Sequence, residues 1–103
     1  MIFGDMAGMM KRAREMQEGL KKVQEELKSE TFVASSDGIS CVVRGDMEIE
    51  NIKIDPKSID LKQVHKLEKI ITEVVSGALK DAKDSAASKL KKVTGGLSIP
   101  GLF

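Results

Sequence analysis

The chain has 103 residues, room for one small domain, and its 41% hydrophobic and 32% charged residues give a globular balance rather than a disordered one. The 17 Lys and Arg nearly cancel the 16 Asp and Glu, leaving +1; the pI of about 7.8 lies below the value of roughly 9 that marks a nucleic-acid binder by composition alone. With no apolar run near the ~18 residues of a membrane span, no signal-peptide pattern and a single cysteine, Cys41, a soluble intracellular protein is expected.

The first pattern is helical. Met6, Met9, Met10, Ala13, Met16, Leu20, Val23 and Leu27 recur at steps of three or four and fall on one stripe. Asp5 is placed to cap this helix, which reaches about Ser29 and would be ~37 Å long at 1.5 Å per residue. Thr31–Ser35 then reads as a strand, and Asp37-Gly38 is the pair a type I′ hairpin turn requires. Ile39, Cys41 and Val43 alternate with Ser40, Val42 and Arg44, and Gly45-Asp46 supplies a second turn. Met47 and Ile49 alternate with Glu48 and Glu50, after which the apolar parity flips to Ile52 and Ile54, so a β-bulge is expected near Glu50-Asn51. Asp55-Pro56 ends the sheet.

A second helix is expected from Asp60, which with Gln63 resembles a capping box. Its stripe is Leu61, Val64, Leu67, Ile71, Val74, Ala78, Ala82, Ala86 and Leu90, and Gly95-Gly96 stops it. Beyond lies an apolar tail. The expected organisation is thus a single α+β domain over residues 1–103, with a helix (1–30), an antiparallel β-meander (31–55), a helix (60–94) and the tail (95–103). One small sheet cannot cover two helices of this length, so a homodimer is expected to bury the remainder.

Enzymatic readings find little to stand on. His65 is the sole histidine, and no G-x-S-x-G, Walker or G-x-G-x-x-G pattern occurs. No metal, cofactor, catalytic residue or small-molecule substrate is therefore expected. Asp46, Glu48, Glu50 and Asp55 read as turn ends and a solvated sheet face. Cys41 lacks basic neighbours and sits among apolar residues, so it reads as a buried structural thiol.

Basic residues offer more. Lys11, Arg12 and Arg14 form a dense cluster in the first helix, and Lys80, Lys83, Lys89, Lys91 and Lys92 concentrate late. Lys11/Glu15, Arg14/Glu18, Lys21/Glu25 and Lys22/Glu26 stand at i, i+4 and are expected to pair within the helix. Trp and Tyr are absent and Phe3, Phe32 and Phe103 are scattered, so a base-stacking platform is not expected and any nucleic-acid contact should run through phosphates. The rival reading is a dimeric protein-interaction module with weak or no DNA binding, using the methionine stripe or the tail. A small hydrolase is a remote third.

The order of the motifs adds to this. Met9-Met10-Lys11-Arg12-Ala13-Arg14-Glu15-Met16, Asp37-Gly38-Ile39, Val43-Arg44-Gly45, Ile52-Lys53-Ile54-Asp55-Pro56 and the ending Thr94-Gly95-Gly96-Leu97-Ser98-Ile99-Pro100-Gly101-Leu102-Phe103 follow one another along the whole chain. In this the chain resembles the YbaB/EbfC family of bacterial nucleoid-associated proteins. The resemblance implies a tweezer-like homodimer that is non-enzymatic and binds double-stranded DNA in the cytoplasmic nucleoid. It also implies roles in nucleoid organisation, gene regulation or DNA repair. Carried onto this sequence, Lys11, Arg12 and Arg14 are the candidate DNA contacts of the first helix. Lys80, Lys83, Lys89, Lys91 and Lys92 are candidates in the second by position.

Overall fold

The computed structural model describes residues 2–95. Helix α1 spans Ile2–Ser29, strands β1 Thr31–Ser36, β2 Ile39–Arg44 and β3 Ile49–Ile54 follow, a 3-10 turn occupies Pro56–Ser58, and helix α2 runs Val64–Thr94. The strands form an antiparallel meander in the order β1-β2-β3. The β1–β2 turn has φ of 48° at Asp37 and 81° at Gly38, the two positive values of a type I′ turn. Glu50 is the extra residue of the expected bulge: Val42 pairs with Asn51 whereas Val43 pairs with Ile49.

The sheet core follows from alternation. Ile39, Cys41 and Val43 are fully buried beneath Val74, Ala78 and Ala82 of α2, with Phe32, Ala34 and Ile71 packed around them. Burying Ile39 or Val43 stabilises the fold by about 1.5–3 kcal/mol each. The alanines let helix and sheet backbones approach closely. Burial also pushes the Cys41 thiol above its ordinary pKa, as expected for a structural cysteine.

A second, smaller cluster joins the helices. Val23 and Leu27 of α1 pack on Ala86, Leu90 and Val93 of α2. An ideal Cβ on Gly19 would lie 2.9 Å from Val93 Cγ1, which shows how closely the helices approach there. Residues 19–30, α1 and the joint that follows it, meet 93–85 of α2 in reverse order, so the helices run antiparallel.

Several expectations need correction. Within one chain Met6, Met9 and Met10 of the first stripe lie outside the core, 53%, 64% and 64% exposed, because α1 projects past the point where α2 ends, whereas Met16 is half-buried. Asp60 does not cap α2. Its carboxylate accepts from the Lys62 N–H (2.9 Å) and its carbonyl from the Gln63 N–H (2.9 Å), closing a turn that delays the helix to Val64. Leu61 falls in that turn and is exposed. Asp5 lies inside the first turn of α1 rather than before it. Met47 has φ of 70° and belongs to the β2–β3 turn, where its N–H donates to the Arg44 carbonyl (2.9 Å). Gly95 stops α2 as expected, in the left-handed conformation with its N–H on the Lys91 carbonyl. Gly96 and the apolar tail lie outside the described residues.

Candidate nucleic-acid interface

The basic residues divide by the face each occupies. On α1, Lys11, Arg12 and Arg14 are all exposed. At about 100° per residue, Lys11 and Arg14 lie within about 60° of each other, whereas Arg12 sits on nearly the opposite side from Arg14. Arg12 lines an open hollow of about 410 Å³ with Glu15, Met16 and Gly19 of α1 and Val93, Thr94 and Gly95 at the end of α2. The fold therefore brings Arg12 of the arm beside the end of α2. Lys91 and Lys92 occupy the last turn of α2, where they complement the negative end of its dipole.

Along α2 the lysines separate further. Lys80 and Lys91 are exposed on the side opposite Ala82, and helical spacing puts Lys66 and Lys69, which composition did not single out, on the same ridge. These four lie within about 60° of one another, interrupted by Glu73 and Asp84. Their repeat at helical steps is visible in the sequence; the concentration of charge after Leu79 obscured it. Lys83, exposed at the flank, borders an apolar hollow of about 170 Å³ formed with Val23, Leu27, Gly45 and Met47.

Lys89 is different in kind. It points inward, with Nζ 2.6 Å from Glu30 Oε2 and 3.6 Å from Glu26 Oε2, while the Ser85 hydroxyl donates to Glu30 Oε1 (3.2 Å). The hydrogen bond it donates to Glu30 raises its pKa above the ordinary lysine value of 10.5. This clasp crosses from the joint after α1 to α2. It also accounts for Glu26, expected to pair with Lys22: among the described residues none of the four i, i+4 pairs proposed for α1 closes within 4.0 Å. Lys21 and Lys22 are consequently unpaired by their helix neighbours.

Other candidate chemistry finds no assembly. The His65 side chain is wholly exposed and meets only Glu68, at 3.6 Å. Asp46 pairs with Arg44 (3.3 Å) and Asp55 accepts from the Lys57 N–H (3.0 Å), so both serve turns. Among the described residues no group of three His, Cys, Asp or Glu is placed to hold a metal ion, and no helix is long and apolar enough to cross a membrane. Phe32 belongs to the core.

One further surface is open. Ile49, Ile52 and Ile54 pair with Val43, Cys41 and Ile39 and therefore share the face that α2 covers. Yet α2 lies across β1 and β2 only, and the three isoleucines stay 41–47% exposed on an edge strand.

Comparison with known proteins agrees with this arrangement. A nucleoid-associated protein of Clostridium kluyveri is 41% identical over 102 residues, covering 97% of this chain and 90% of that one. One from Thermoanaerobacter pseudethanolicus is 42% identical over 97 residues, covering 92% and 87%. One from Pelotomaculum thermopropionicum is 37% identical across 100% of both chains. In fold, the chain is similar to an uncharacterized Helicobacter pylori protein of known crystal structure, with a TM-score of 0.70 at 15% identity over 92% of this chain and 99% of that one. Residues 3–97 match the YbaB/EbfC DNA-binding family, a binding family rather than an enzyme family. That match spans both helices and the whole meander, and with relatives this similar in sequence the chain belongs to the YbaB/EbfC DNA-binding family.

Proposed function

We propose that the protein is a non-enzymatic, nucleoid-associated homodimer of the bacterial cytoplasm that holds double-stranded DNA chiefly through phosphates, and so organises the nucleoid or acts in gene regulation or repair. The observation that carries this is the row of exposed lysines on the free side of α2, running toward the basic end of the α1 arm in a chain of this family. Lys11, Arg12, Arg14, Lys80, Lys83, Lys91 and Lys92 are the proposed contacts, joined by Lys66 and Lys69. Lys89, held by two carboxylates, positions α1 instead. The dimer reading is supported by β3, an edge strand with unpaired backbone groups and three half-exposed isoleucines facing one way. A single domain over 1–103 is part of the same reading.

Duplex binding measured across salt concentrations tests it. Affinity should fall with salt at a slope of about −0.9 per phosphate contact. Replacing Lys11, Arg12 and Arg14 with alanine should weaken binding to all duplex sequences alike and flatten the slope, and so should replacing Lys80, Lys91 and Lys92. Folded variants of both clusters with wild-type affinity and slope would refute the phosphate reading and favour the interaction-module reading.

A further inference from the structure

The exposed methionine face of α1 lies where the chain leaves α2. Gly95 sits in the hollow shared with Arg12 and Met16, at the end of α2 that lies beside the uncovered part of α1. Met9 stands seven residues before Met16, hence two turns further along nearly the same row, with Met6 and Ala13 one step around. The face is continuous with half-buried Leu20 and with Val23, which α2 does cover.

The following segment, Gly96-Leu97-Ser98-Ile99-Pro100-Gly101-Leu102-Phe103, carries no charged side chain and four large apolar ones. We propose that it docks along the methionine face of its own chain's α1, covering Met9, Ala13 and Met6. Reach is sufficient: eight extended residues span up to about 26–29 Å, against about 15 Å of helix axis from Met16 to Met6. The spacing fits too. Ile99 precedes a proline, which favours extended backbone there. In extended chain, alternate residues such as Leu97 and Ile99 stand ~6.6 Å apart on one side, close to the ~6 Å between helix positions i and i+4. Ala13 and Met9 are such a pair. Docking removes from water a patch that no described residue covers, and splints the arm against the end of α2.

The chain contains no tryptophan, so Phe103→Trp supplies a clean reporter in the full-length protein. Its emission should be blue-shifted from that of the free 96–103 peptide carrying the same tryptophan, and the shift should not depend on protein concentration. Met6→Gln, Met9→Gln and Met10→Gln together should return the emission to the peptide value. Because that triple variant could lose arm helicity, a second measurement keeps the wild-type arm. Peroxide oxidation of Met9 and Met6, followed by mass spectrometry, should be about threefold faster in the Leu97→Gln/Ile99→Gln/Leu102→Gln chain than in wild type, in proportion to the thioether surface uncovered. Peptide-like emission, or equal oxidation rates in the two chains, overturns the proposal and leaves the face open to another partner. A blue shift that disappears as the protein is diluted overturns it in favour of docking on a second copy.

Discussion

Where α1 meets the sheet, Gly45 has no room for a side chain, and a single added methyl group tests that. A Cβ placed on Gly45 would lie 2.7 Å from the carbonyl oxygen of Leu27 and 3.0 Å from its Cα, both backbone atoms, and 2.9 Å from its Cδ2. No rotamer change relieves contacts to backbone, so the β2–β3 turn must move by several tenths of an ångström. The Gly45 N–H bond to the Glu30 carbonyl (2.9 Å) and the seat of Leu27 against Ala86 move with it. Overpacking of this kind costs about 1–3 kcal/mol, and in a domain of this size each kcal/mol lowers Tm by about 4–8 °C. Gly77 provides the control, since its added Cβ would meet only Ala34 Cβ at an ordinary 3.8 Å. Gly77→Ala gains about 1 kcal/mol of helix propensity and should raise Tm by a similar number of degrees. Far-UV circular dichroism melts at one fixed protein concentration provide the assay, because association makes Tm concentration-dependent. Equal Tm values for Gly45→Ala and wild type would refute the reasoning about the joint.

Lys89→Met should remove the clasp on Glu30 while leaving the exposed lysines in place. Because the folded pKa of Lys89 is raised above 10.5, its contribution is fully present below that pH and is lost as pH climbs through the folded value. Wild type should therefore lose stability more steeply than Lys89→Met above about pH 10.5 in chemical denaturation; parallel curves would exclude the clasp as a stabilising device. Ile52→Lys puts a charge on the half-exposed row of β3 without disturbing a buried residue. Sedimentation equilibrium should show self-association weakened at least about tenfold, or ~1.4 kcal/mol, with the protomer still folded; unchanged association would move the dimer contact elsewhere.

Local chemistry made the sheet readable from sequence. Asp37-Gly38 announces its turn because few other pairs adopt two positive φ values, and the parity flip from Ile49 to Ile52 announces the bulge because side chains alternate strictly along a strand. The strand Met47 seemed to continue was not readable, since a non-glycine residue with φ of 70° carries no sequence signature. Asp60 misled for a related reason: an Asp three residues before a Gln closes an isolated turn as readily as it caps a helix. Of the candidate interface, the sequence shows which residues are basic but not which way they point. Lys89 looks like its neighbours Lys91 and Lys92 until the fold brings Glu30 to it across 59 positions of sequence. Periodicity defined the methionine stripe, but only the relative lengths and offset of the two helices decide which part of it is covered.

That offset has a mechanical consequence. α1 is gripped over residues 19–30 and free before them, so it is a lever whose fulcrum is the small Val23–Leu27–Ala86 cluster and the Glu30–Lys89 clasp. The free portion, about 17 residues, is some 25 Å long, so a tilt of only ~10° at the fulcrum sweeps its tip through about 4 Å. The stiffness of that one joint thus sets how far the tip of the arm can swing.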